Sequence, residues 1–258
     1  MHSNYIISSK PLAGILMAQT ANCGRFFLYT DGANFKKNGE TYFYYEGYFL
    51  PRRAFMGKYS GLSGYDLLIR LFKEEGPSFV NFIKGFYSIV IIDNDNFYLY
   101  NDIHSVKRFF YYSDSSEYYL SNNLTLLART MSFKLEKCLA AHHALFQHFT
   151  GGTTCYEGVR YSEGAMKLTL KNGRLSVEKY WRATELLQSE KDLSVSEFNG
   201  IFKEVISEYI TYYKPIQIAA TITGGRDTRT VLAALLSNRS TPHLFTFGNP
   251  LNRDVVVG

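Results

Sequence analysis

Apolar and polar positions change rhythm several times along this chain, and each change predicts an element. FYSIVIIDN (86–94) is almost continuously apolar, the pattern of a strand buried on both faces. DNFYLYND (95–102), RFFYYSD (108–114) and EYYLSNN (117–123) follow as short aromatic strands, separated by turn-like NDN and SDSSE. With no helical crossover between them, they read as one meander of adjacent strands. Earlier strands are expected at NYIISS (4–9) and near 26–30 and 41–49, with turns at Asp31-Gly32 and Asn38-Gly39. AMKLTLKNGRLSVEKYW (165–181) predicts a hairpin closed at Asn172-Gly173.

Helical spacing appears in SGYDLLIRLFKEEG (63–76), where Leu67, Leu68, Leu71 and Phe72 form one apolar stripe behind Ser63 as N-cap. A short helix is expected around SFVNFI (78–83), ending by Gly85, and another over KCLAAHHALFQHF (137–149), followed by the loop TGGTTCYEG. The polar stretch 182–193 reads as a linker. Beyond it, SVSEFNGIFKEVISEYITYY (194–213) is an amphipathic helix with a serine cap. IQIAATI (216–222) then reads as a buried strand, DTRTVLAALLSN (227–238) as a helix and HLFTFG (243–248) as a second strand. Strand, loop, helix and strand in that order open an α/β unit with a parallel sheet. Two domains are therefore expected, an antiparallel one over 1–185 and a partial α/β one over 194–258.

Composition narrows the classes. A chain of 258 residues with 46% hydrophobic residues can bury a sizeable core, and 21 Tyr with 20 Phe suit packed sheets. The net charge of +5, from 28 basic and 23 acidic residues, is spread out, with only pairs such as Arg52-Arg53 and Lys107-Arg108. Nucleic-acid binding is not expected from that distribution. Cys23, Cys138 and Cys155 have neither disulfide-framework nor metal-knuckle spacing. His142, His143 and His148 form no HExxH pattern and read as a helix face. No signal peptide or membrane span is apparent, so a cytoplasmic protein without a membrane partner is the expectation.

The segment TITGGRDTRT (221–230) carries the chemistry most open to interpretation. A helix start offers unpaired amides and partial positive charge, and Gly224-Gly225 would let a phosphate approach the backbone. Thr223 and Thr228 would add hydroxyl donors, and Asp227 would hold a Mg²⁺ that bridges to the phosphate. Equally, the same residues make a tight strand-to-helix turn with Asp227 in the first turn. The loop is neither GxxxxGK[ST] nor GxGxxG.

ITGGRDTR after an apolar strand resembles the SGGxDS pyrophosphate loop of the asparagine synthetase family. Thr223, Gly224, Gly225, Asp227 and Thr228 fall on that pattern. FTFGNPLNRD resembles the next strand, whose terminal Asp-Glu falls on Asp254 and Val255. Upstream, Gly85, Phe86, Asp93, Asp102, Lys107, Tyr111 and Tyr112 match the central signature of that family's glutaminase domain. YYLSNNLTLLA and the stretch 156–181 resemble the segments that follow it, so the likeness runs from about 42 to 258. The resemblance implies an α+β, N-terminal-nucleophile-like αββα sandwich followed by a truncated α/β PP-loop segment of adenine nucleotide alpha hydrolase type. It also implies ATP and Mg²⁺ as cofactors, with Asp227 and Asp254 as metal ligands.

Departures from the family are expected to matter more than matches. The family's nucleophile is a cysteine exposed by loss of Met1, whereas this chain has His2 and then Ser3. Cys23-Gly24 copies the family dipeptide only internally and reads as structural. The family's oxyanion-hole Asn-Gly falls at Glu46-Gly47, and a carboxylate repels a developing oxyanion. The aspartate that holds the substrate amino group falls at Gly64, and no His-Arg-Gly-Pro-Asp motif is visible. With the sequence stopping at Gly258, independent synthetase turnover is not expected either. Three readings follow: an asparagine synthetase-like protein without turnover; the N-terminal part of an ATP-dependent amide-forming ligase completed by a partner or further sequence; or a binding or scaffold module, including a homo-oligomer.

Overall fold

A computed structural model describes residues 4–12, 17–22, 25–32, 34–172, 174–188 and 192–249. The chain forms two compact units, Met1–Leu187 and Gln188–Gly258.

In the first unit, sheet A contains β1 (Asn4–Ser8), β2 (Ala18–Asn22), β3 (Phe27–Asp31), β8 (Phe110–Ser113), β9 (Tyr118–Ser121) and β10 (Arg160–Tyr161), in the order β10-β8-β9-β1-β3-β2. Sheet B contains β4 (Lys36–Asn38), β5 (Thr41–Pro51), β6 (Ile83–Asp93), β7 (Asn96–Asn101), β11 (Met166–Lys171) and β12 (Arg174–Lys179), in the order β12-β11-β7-β6-β5-β4. Every named pairing in both sheets is antiparallel. The expected single meander is thereby corrected. β6 and β7 pair in sheet B, but β8 and β9 pair in sheet A, so the chain changes sheets between Asn101 and Phe110.

Alternation explains the layering. Along β5, β6 and β7, Tyr44, Val90, Ile92, Phe97 and Leu99 face inward. They share one core with Tyr5, Ile7, Leu28, Tyr111 and Leu120 of sheet A. The alternate residues of sheet B point outward, where Phe43 packs edge-on against Phe72 of α1 (Gly64–Glu75) and Tyr100 against Phe79. Burying both faces is what a nearly unbroken apolar strand such as β6 requires. On the outer face of sheet A, Tyr119 packs with Leu127 of α2 (Leu124–Met131), a helix the sequence pattern did not single out. The layers are α, β, β, α, as expected.

Local signals held unevenly. α1 buries Leu67, Leu68, Ile69 and Leu71, and Ser63 is its N-cap residue although the side chain makes no capping bond. The short helix before β6 is a 3₁₀ segment over Gly76–Phe82. α3 (Lys137–Phe146) buries none of its residues, consistent with a solvent-facing histidine face. Among the described residues, no group of His, Cys, Asp and Glu is placed to hold a metal ion. Asn172 takes the left-handed conformation at φ +53°, while Gly173 lies outside the described residues.

The second unit holds α4 (Val195–Tyr213), β13 (Ala219–Thr221), α5 (Arg226–Ser237) and β14 (His243–Phe245). Ser194 and Glu197 form a reciprocal capping box on α4. β13 and β14 pair in parallel. The expected long buried strand is corrected: β13 is three residues long and only Ala220 in it is buried. No described helix is long and apolar enough to cross a membrane.

Candidate functional site

The site is built midway along the β5–β6 pairing, level with the end of β7, where Ser88 lies opposite Asn101. Their register sets Glu46 opposite Ser88, Gly47 opposite Tyr87, Tyr48 opposite Phe86 and Phe49 opposite Gly85. Gly47 (φ +91°) and Gly85 (φ +143°) both adopt backbone that L side chains avoid. The opposite strand fills the space each leaves. A Cβ on Gly47 would lie 2.0 Å from the Phe86 carbonyl oxygen, and one on Gly85 would lie 2.3 Å from that of Tyr48. The two glycines therefore let the strands pinch together beside Glu46.

The chain's change of sheets supplies the second half. Asp102 is fully buried at the end of β7. Its Oδ1 accepts from the amides of His104 (2.9 Å) and Val106 (3.3 Å), and its Oδ2 from that of Lys107 (3.2 Å). A buried carboxylate folds the turn around itself by satisfying its amides. The turn delivers Lys107, whose Nζ lies 2.8 Å from Glu46 Oε1. Beside it Asn101 donates to Ser105 Oγ (3.1 Å), Ser162 Oγ (3.2 Å) and the Glu163 carbonyl (2.8 Å). The amide of Met166 donates to Asn101 Oδ1 (2.9 Å). Sequence reading missed this network. The polar pair Asn101-Asp102, at the end of an apolar strand, was its signal.

Electrostatics around Glu46 favour fixed, neutralised groups. Glu46 and Lys107 are each about one-third exposed and satisfy one another. Burial, then the Asp102 charge, raises the Tyr48 phenol above its ordinary value. Tyr5 is fully buried, and desolvation holds its phenol well above the ordinary range. The hydroxyls of Tyr5 and Ser88 are neighbours, and both are buried without a hydrogen-bond partner among the described residues.

The other sequence-predicted residues fall as follows. Gly64 begins α1, and a Cβ there would lie 2.7 Å from Tyr45 Oη, so a phenol occupies the room a longer side chain would need. His2, the Cys23-Gly24 pair, Asp254 and Val255 lie outside the described residues. Cys138 is exposed on α3; Cys155 lies in the following loop, where burial pushes its thiol up. Thr223, Gly224, Gly225, Asp227 and Thr228 come together at the start of α5. The loop is partly satisfied from within: Thr223 N donates to Thr228 Oγ1 (3.2 Å) and Gly225 N to Thr223 Oγ1 (3.1 Å). Asp227 is exposed in the first turn of α5.

The family described as glutamine amidotransferase domain matches residues 31–181, which contain β5, β6, the Asp102 turn and β11. The chain belongs to this glutamine amidotransferase family. No curated protein matches the sequence. Solved structures that this chain matches include the B. subtilis glutamine phosphoribosylpyrophosphate amidotransferase complexed with ADP and GMP, 8% identical, with a TM-score of 0.35. An allosteric regulatory enzyme of purine biosynthesis gives 8% and 0.41. A glutamine aminotransferase class-II domain protein from Silicibacter pomeroyi gives 9% and 0.35. The alignments take in 81%, 94% and 68% of this chain and 46%, 59% and 91% of those proteins, so the chain spans about half the length of the first two.

Proposed function

We propose that this chain is an asparagine synthetase-like member of the amidotransferase family that does not hydrolyse glutamine. The observation that carries the reading is the ion pair at Glu46. An oxyanion hole needs donors directed at developing negative charge. Here the Glu46 carboxylate stands at the position that the resemblance gives to asparagine, and Lys107, the nearby cation, is engaged with it. The Tyr45 phenol beside Gly64 supports the same reading, because it fills space where the substrate amino group would be met.

The start of α5 suits a phosphate group. Gly224 and Gly225 would admit it, the hydroxyls of Thr223 and Thr228 would turn from their 3.1–3.3 Å internal contacts toward it, and Asp227 would hold Mg²⁺. Bound ATP would supply an activated phosphoryl or adenylyl group, and these residues would orient it. The parallel β13–β14 pair, joined through this loop and α5, favours a second reading. In it the unit is part of an ATP-dependent amide-forming ligase completed by further sequence or a partner.

Ammonia release from L-glutamine by the purified chain tests the first reading. The expected rate is that of the protein-free blank, and enzymatic release would overturn it. Magnesium-dependent exchange of pyrophosphate into ATP, stimulated by an added carboxylate, would favour the second.

A further inference from the structure

The two sheets are unequal at their β10/β12 edge. β10 is two residues long, whereas β12 runs for six. Pairing tells which way their side chains point. Arg160 is opposite Tyr111, an inward residue of the core, so Arg160 also lies on the inner face of sheet A. Val177 and Lys179 are opposite Leu168 and Met166, both inward, so they lie on the inner face of sheet B. Positions that elsewhere hold core residues thus hold an arginine and a lysine, and Val177 is left 44% exposed. Between them opens a cleft of about 630 Å³ that Arg182 also lines. Its volume is in the range of small-molecule sites.

An inward lysine on an edge strand can simply discourage strand addition. The charge arrangement goes further than that. Lys179 is neutralised by Glu163 at 3.2 Å, and Glu178 is taken by Lys167 at 2.9 Å. Among the described residues, the guanidinium groups of Arg160 and Arg182 meet no carboxylate and the Tyr111 hydroxyl makes no hydrogen bond. The cleft is thus bordered by two planar cations, a phenol donor and the apolar surface of Val177 and Met166, and the two carboxylates that also line it, Glu163 and Glu178, are each held by a lysine. Arginine forks match the oxygens of phosphate and carboxylate groups.

We propose that this cleft binds a small oxyanion-bearing molecule with an apolar body. Arg160, Arg182 and Tyr111 hold the anionic group, and Val177 and Met166 meet the rest. The site lies within the first unit and does not depend on the phosphate loop of the second unit or on the fate of glutamine.

Phenyl phosphate and benzoate serve as probes, because they share the apolar ring and separate phosphate from carboxylate. Calorimetric titration of the full chain is expected to show saturable binding of at least one. Arg160→Gln/Arg182→Gln is expected to weaken it about tenfold or more, through loss of charge-assisted hydrogen bonds. Tyr111→Phe, which keeps the ring packed, is expected to weaken it about threefold. Amide shifts in ¹H–¹⁵N spectra should cluster at 158–163 and 177–182. Failure of both probes to saturate, undiminished binding in the double variant, or shifts confined to 223–228 would each overturn the proposal.

Discussion

Replacing Gly47 with alanine tests the pinch between β5 and β6 on which the Glu46 site stands. Two costs add. At φ +91° an L residue is strained, by about 1–3 kcal/mol for backbone of this kind. The new Cβ would also fall 2.0 Å from the Phe86 carbonyl oxygen and 3.3 Å from Lys107 Cγ. Carbon–oxygen contacts settle near about 3.3 Å, so β6 must retreat by roughly 1 Å, enough to break local ladder bonds worth about 1–3 kcal/mol each when left unmade. The expected loss is roughly 4–6 kcal/mol. Gly39 is the matched control, with φ +62° and no atom within 4 Å of the place a Cβ would take. Gly39→Ala therefore carries only the torsional cost, about 1–2 kcal/mol. Urea unfolding followed by fluorescence reads the first unit selectively, because Trp181 is the chain's single tryptophan and lies within it. With a urea slope of about 2–3 kcal/mol/M, the Gly47 variant should unfold about 1 M earlier than the Gly39 variant. Equal midpoints would show that the two strands do not crowd this position, and the argument for the site's geometry would fail.

The Glu46–Lys107 pair is one-third exposed, so solvent screens it, and a Glu46→Gln/Lys107→Met double-mutant cycle should give a coupling of only about 0.5–1 kcal/mol that shrinks in 1 M salt; a coupling unchanged by salt would contradict this. At the β8–β9 turn, the amides of Ser116 and Glu117, then the Tyr112 hydroxyl, hold the Asp114 carboxyl down to about 2. Its folded value is below the unfolded value of about 3.9, so its contribution is present above pH ~4 and is lost as pH falls toward 2. The stability gap between the parent and Asp114→Asn should close over that window, and a gap constant with pH would refute the assignment. Ser194→Ala removes half of the capping box on α4 and should cost about 1 kcal/mol, read as faster amide exchange in the helix's first turn; unchanged exchange there would mean the box contributes nothing.

Much of the fold could be read from local pattern. The stripe of Leu67, Leu68 and Leu71 marks α1, and the run around Ile89–Ile92 marks the doubly buried β6. Ser194 with Glu197 marks the start of α4. Such signals are legible because periodicity and capping bind residues a few positions apart. The glycine loop, with Thr223, Gly224, Gly225, Asp227 and Thr228, was legible as a unit for the same reason, and those residues do meet at the start of α5.

Partner choice was not legible. β8 looked like the natural neighbour of β7, yet the turn gathered on the Asp102 carboxylate carries the chain to the other sheet. Glu46 and Lys107 are 61 residues apart, and Tyr111 and Arg160 are 49 apart; each pair meets because strand order and register bring them together. Alternation tells which residues share a strand face, but which face lies inside depends on the sheet opposite. An inward arginine such as Arg160 can therefore be recognised only once the unequal lengths of β10 and β12 leave that face uncovered.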